Sequence, residues 1–147
     1  MGEAHLMRRV YIRHPSDMPI ELRSEDGELT GEQRLKDISL GGIACRAERA
    51  QPVGSVVSLC IASTDPPFRM RGRVTWCIRR GEQYDIGVQF LAQDDAFAAR
   101  MVEQVCHIEQ YRNDVLRREG RVLDSEEAAR EWIKRFAPDF PDPRAMH

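Results

Sequence analysis

Three kinds of side chain could do chemistry in this chain: thiols, carboxylates and arginines. The four cysteines, Cys45, Cys60, Cys77 and Cys106, form no CxxC pair and have no histidine at metal-ligand spacing. His107 follows Cys106, and on a helix its side chain points elsewhere. Cys45, Cys60 and Cys77 fall in apolar, strand-like segments, and the thiols read as small buried hydrophobes. The carboxylates are not grouped with a nucleophile and a histidine, so no catalytic or metal set is expected. The arginines are different. Of the 22 basic residues only Lys36 and Lys134 are lysines, and an Arg-rich codon bias accounts for most of that. Two runs are nonetheless free of acids: Arg8, Arg9 and Arg13, and then Arg69, Arg71, Arg73, Arg79 and Arg80. Guanidinium forks grip phosphate in bidentate fashion and stack on bases. With a net charge of −2 and a pI near 6.1, a small anionic ligand suits them better than a nucleic-acid polymer does.

A second stretch, Lys36 to Ala44 (KDISLGGIA), carries polar chemistry of its own. Asp37 and Ser39 bond readily to nearby backbone, and Gly41 and Gly42 admit conformations and approaches that a Cβ forbids. Alone, the stretch reads as a strand–turn–strand corner. A binding role needs a separate source of positive charge, and RRVYIRHP, with Arg9 and Arg13 four apart and no acid between, is a candidate. Pro15 biases His14 away from the helical region, which makes this segment an extended arm.

The elements that must position these residues are legible as patterns. At 147 residues, 41% hydrophobic and 31% charged, the chain fits one domain with its own core. PIELRS (19–24) alternates with period two. SEDGELTG (24–31) carries a hairpin signal, and EQRLKDI (32–38) returns from it. GIACRA (42–47), the β-branched SVVSLCIAS (55–63), RMRGRVTWCIRR (69–80) and QYDIGVQF (83–90) complete six or seven short strands. These are expected to form a small antiparallel β-barrel. From Asp94 or Asp95, Phe97, Met101, Val105, Ile108 and Val115 follow helical spacing up to a stop at Gly120. A second helix is expected from Asp124 or Ser125, with Ala129, Trp132, Ile133 and Phe136 on one face, ending before Pro138. The tail PDFPDPRAMH reads as irregular. The expected division is an arm over 1–18, a barrel over 19–91 and a helical extension over 92–147. The N-terminus lacks a signal-peptide core, and no apolar run is long enough to cross a bilayer, so a cytoplasmic location without membrane insertion is expected.

Taken together, Arg9-Val-Tyr-Ile-Arg13 and Asp37-Ile-Ser39-Leu-Gly41-Gly42, in this order at the opening of a small barrel, resemble the PilZ domain family. RVTWCIRRGEQYDIGVQF (73–90) resembles that family's closing strand pair, so the likeness spans roughly residues 8–91, with a following helix also typical. The resemblance implies a non-enzymatic bacterial receptor for cyclic di-GMP, needing no cofactor. It implies that Arg9 and Arg13 hold phosphate and guanine edges from the arm, with Arg8 adding a stacking or phosphate contact. Guanine presents O6 and N7 to an arginine fork. Asp37 would accept from guanine N1–H and N2–H₂, Ser39 would offer its hydroxyl, and Gly41 and Gly42 would let the ligand approach the backbone. The pair Arg8-Arg9 is compatible with one ligand or two stacked together.

Trp76 has two readings, as a core residue of an alternating strand or as an aromatic near the ligand. His5 and His14 read as solvated arm residues, and Arg69, Arg71 and Arg73 as a solvated face able to steer an anion. With no output domain recognised in the chain, the expected output is an ordered arm that alters contact with an unidentified partner protein; the sequence sets no oligomeric state. The rival reading is a scaffold protein of the same fold that does not answer to nucleotide.

Overall fold

The strand-like segments between residues 19 and 90, joined by a short stretch before them, form one seven-stranded antiparallel sheet, shown by a computed structural model that describes residues 12–25, 33–91 and 95–136. The expected hairpin tip around Asp26-Gly27, the N-cap at Asp94, the C-terminal tail and the first eleven residues lie outside the described residues. The strands are β1 (His14–Pro15), β2 (Glu21–Ser24), β3 (Gln33–Ile38), β4 (Gly42–Ala47), β5 (Val56–Ile61), β6 (Phe68–Arg80) and β7 (Gln83–Phe90), in the order β1-β3-β4-β7-β6-β5-β2. In β6, Phe68, Met70, Gly72 and Val74 turn inward while Arg69, Arg71 and Arg73 stay exposed. A reversal at Gly81, whose φ of 65° favours glycine, returns the chain into β7.

The sheet is barrel-like, and one stretch of chain spans its two edges. Residues 14–20 run along β3: Ser16 donates to the Lys36 carbonyl (3.1 Å), Leu35 to Met18 (2.8 Å) and Ile20 to Gln33 (3.2 Å). The next residues, β2, pair with β5 at the opposite edge. Buried Gln33 helps this crossing by accepting from the Leu22 N–H at 2.7 Å. The division at residue 18 therefore needs correction. The sheet begins by His14, and Met18 is fully buried in the core. Backbone pairing along β3 outweighs the missing alternation and Pro15, which had made this stretch read as arm.

Helix α1 (Asp95–Glu119) and helix α2 (Ser125–Phe136) follow. Met101, Val102, Val105 and Ile108 of α1 join the sheet residues in one core, where Phe68 meets Phe90 edge-on at 5.6 Å and Phe97 at 5.5 Å. Gln104, almost wholly buried, clamps the 64–67 turn to α1 by accepting from the Asp65 N–H (2.8 Å) and donating to the Asp65 carbonyl (3.0 Å). Helix α1 stops at Gly120, whose N–H reaches the Leu116 carbonyl at 3.0 Å with φ at 68°. Helix α2 opens with a capping box: Asp124 accepts from the Glu127 N–H (2.7 Å), and Glu127 accepts from the Asp124 N–H (3.0 Å). Ala129 and Trp132 are buried as the spacing predicts. Phe136 instead stays 43% exposed, against the rings of Tyr111 and Trp132 at the end of the helix pair. Neither described helix is long and apolar enough to cross a membrane.

Candidate ligand-binding face

Two irregularities in the ladder build the candidate site. In β3 the register slips between Leu35 and Asp37, so Lys36 is an extra residue opposite the Cys45–Ala44 step. In β6 it slips between Val74 and Trp76, and Thr75 is the extra residue. Each bulge lets two successive side chains face outward while the residues on either side keep their places in the core: Leu35 and Ile38 around one, Val74 and Cys77 around the other. Bulges re-aim side chains in this way and are frequent beside functional sites. Both fall on one lateral row. Pro15 opposes Asp37, Asp37 opposes Ala44, Ala44 opposes Gly87, and Gly87 opposes Trp76. Directly opposed residues share a face, so Asp37 and Trp76 lie on the same outer surface with only Ala44 and Gly87 between them.

That geometry sets Trp76 apart from the core. The side chain is half-buried and outside the core, and its indole lies over Gly87. A Cβ at Gly87 would overlap Nε1 and Cε2 of the ring, so the glycine is what allows the indole to lie flat. At the other end of the row Arg13 reaches Asp37, with NH1 3.5 Å from Oδ1. The structure thus brings together one member of each sequence motif. Arg8 and Arg9 lie outside the described residues.

The turn between β3 and β4 is held by hydrogen bonds of its own residues. The Ser39 hydroxyl, only marginally exposed, is engaged within the turn: it accepts from the Gly41 N–H (3.2 Å) and donates to the Gly42 carbonyl (3.3 Å), beside the Ser39 N–H to Gly42 bond (2.8 Å). Gly42 is constrained by the sheet itself. It needs to be glycine because a Cβ would overlap the Val88 carbonyl oxygen of β7, and neither Gly41 nor Gly42 is among the positive-φ glycines. Gly41 ties the turn to β7 by accepting from the Phe90 N–H at 2.9 Å. The corner thus mounts Asp37 through bonds within the turn and one tie to β7.

Beside this row lies a cluster that motif reading missed. Asp85 of β7 opposes Arg46 of β4. Its nearly buried carboxylate takes Lys36 Nζ at 2.9 Å, Arg80 Nε at 3.2 Å and Arg46 Nε at 3.5 Å. Burial alone would raise this carboxyl; hydrogen bonds and charge from Lys36 and Arg46 outweigh it and hold Asp85 below the usual aspartate range. The only signal in the sequence was one acid in the closing strand facing basic neighbours, which no spacing rule singles out. Cys45, under the same sheet, is buried, and burial foremost pushes its thiol up to about 12, as suits an inert core thiol. His14 pairs with Ile38 at the edge of the sheet and is half-buried, so it is a sheet residue and not part of a solvated arm. His5 is outside the described residues. Arg69, Arg71 and Arg73 line the far part of the same outer face, as expected.

A barrel-like antiparallel sheet with two C-terminal helices, carrying an arginine-to-aspartate contact on its outer face, defines a class of small β domains. The chain belongs to the PilZ domain family, whose match covers residues 7–106. Among solved structures it is similar in fold to the PilZ domain of YcgR from Escherichia coli, solved with c-di-GMP. There the TM-score is 0.59 at 18% identity, over 78% of this chain and 99% of that one. It is similar also to MrkH of K. pneumonia in its c-di-GMP complex, with TM-score 0.56 and 19% identity, over 70% of this chain and 54% of that one. The Bacillus subtilis inhibitor of motility MotI/DgrA gives TM-score 0.55 at 18% identity, over 70% and 51%. This chain therefore spans about half the length of MotI and MrkH. No curated protein matches it.

Proposed function

We propose that the chain is a bacterial cytoplasmic receptor for cyclic di-GMP, without catalytic activity, whose ligand draws the Arg8–Arg13 segment onto the outer face of the sheet and so changes the surface offered to a partner protein. The observation that carries this reading is the meeting of Arg13 and Asp37 at 3.5 Å on a bulged row that ends in Trp76. An arginine fork, a carboxylate and an indole are the three groups that guanine recognition calls for: a donor pair for O6 and N7, an acceptor for N1–H and N2–H₂, and a π-face. The c-di-GMP held by the PilZ domain of YcgR and by MrkH supports the choice of ligand. The Ser39 hydroxyl contributes by setting the turn that mounts Asp37.

Isothermal titration of the full chain with cyclic di-GMP is expected to give a dissociation constant of about 1 μM or tighter, near −8 kcal/mol. Arg13→Ala is expected to weaken binding at least about tenfold, through loss of a charge-assisted fork, with its melting temperature unchanged. Absence of binding heat from the folded wild-type protein sinks the receptor reading.

A further inference from the structure

The cluster around Asp85 has more cation than a structural ion pair requires. One carboxylate accounts for one positive charge, and three surround it. Lys36, Arg46 and Arg80 keep 37%, 50% and 62% of their side chains exposed while Asp85 keeps 4%. The manner of attachment matters as much as the count. Asp85 takes both arginines through Nε. Their NH1 and NH2 groups have no partner among the described residues. A guanidinium held at Nε by a buried acid is fixed in direction, with its two-pronged end left to meet an anion such as phosphate in bidentate fashion.

Position adds a second argument. Lys36 adjoins Asp37 in the β3 bulge, and Arg46 lies two residues along β4 from Ala44, which opposes Asp37. The side-chain alternation puts Arg46 on the same outer face about 7 Å from that row. A ligand seated between Arg13, Asp37 and Trp76 would extend over this cluster.

We propose that Lys36, Arg46 and Arg80, gathered by Asp85, form a phosphate subsite that takes one phosphodiester of the bound cyclic dinucleotide; this rests on the receptor reading above. The arginines bind through their free prongs and Lys36 adds a point charge. Asp85 is a positioning residue that touches no ligand atom.

Titration of cyclic di-GMP into the full chain tests it with Arg46→Gln, Arg80→Gln, the double variant and Arg69→Gln, a cation on the same outer face outside the cluster. Each cluster variant is expected to bind about 5- to 10-fold more weakly and the double at least about 30-fold, while Arg69→Gln stays within about 2-fold. Binding by the double variant within about 2-fold of wild type overturns the subsite and leaves the receptor reading standing. An equal loss in Arg69→Gln also overturns it, because general attraction would then explain the effect. A wild-type protein that gives no heat removes both readings. Should the double variant fail to fold, Arg46→Lys and Arg80→Lys keep the charge and lose the fork; each is expected to bind at least about 3-fold more weakly, and wild-type affinity in both overturns the proposal.

Discussion

Single residues on this face are constrained by what they hold in place, and Asp85 is the clearest case. Its carboxylate is nearly buried among Lys36, Arg46 and Arg80, so its ionised form is worth more in the folded chain than in the unfolded one. A carboxyl held low in the folded state stabilises above the pH where an unfolded aspartate titrates, about 4, and that stabilisation fades as pH falls through the folded value. Asp85→Asn leaves three cations facing one another around a weaker acceptor. Urea denaturation is expected to show a loss of about 1–3 kcal/mol at pH 7. At pH 3, below the unfolded value, the difference from wild type should shrink, because the unfolded chain then takes up a proton that the folded carboxylate resists. An equal deficit at both pH values would show that packing, and not charge, is what Asp85 contributes.

At the scale of elements, the site depends on how closely β4 and β7 can lie, and Gly42 sets that distance. A Cβ there would run into the Val88 carbonyl oxygen, a backbone atom that cannot swing aside, whereas the atoms nearest a Cβ at Gly87 belong to the side-chain ring of Trp76. Gly42→Ala is therefore expected to cost about 2 kcal/mol or more in thermal or urea unfolding, as overpacking does. Gly87→Ala should cost less and shift the tryptophan emission by lifting the indole. The reverse ranking would contradict the register that places these glycines. The same strands show where the sequence was readable. Alternation, the β-branched run of β5 and the turn residues between strands located β2 to β7 to within a few residues of their ends, and apolar spacing with Gly120 and Asp124 located both helices, because those signals are local. β1 was not legible, since a two-residue strand containing Pro15 earns its place only by pairing with β3. The bulges were not legible either: nothing in Leu35-Lys36-Asp37 or Val74-Thr75-Trp76 marks the extra residue until a partner strand supplies the count. The motif residues Arg13 and Asp37 could be picked out by type, but the presentation of Trp76 and the gathering of cations at Asp85 depend on those registers.

At the scale of the molecule, the segment that bears Arg13 is anchored to both helices three residues further on. Ser16 donates to Glu109 of α1 at 2.7 Å, and Arg112 of α1 reaches Asp17 (3.2 Å), Glu109 (3.3 Å), the Ser125 hydroxyl (3.0 Å) and the Leu123 carbonyl (2.7 Å). Ser125, at the start of α2, completes the node through its contacts with the carboxylates of Asp17 and Glu109. One guanidinium thus joins three regions of the chain that the hydrophobic pattern treats as separate: the start of the sheet, the long helix and the mouth of the short one. Asp17 is half-exposed, which screens its direct pairing with Arg112, so most of the arginine's value should lie in its shared bonds. Arg112→Ala is expected to destabilise the whole domain by about 2 kcal/mol, and Asp17→Ala by about half that. In a double-mutant cycle the two should be coupled by about 0.5–1 kcal/mol, and a single cooperative transition should persist in every variant. A coupling of zero would mean that Asp17 and Arg112 act independently. A separate early transition in α2 would mean that the node holds only the short helix and does not tie the start of the sheet to both.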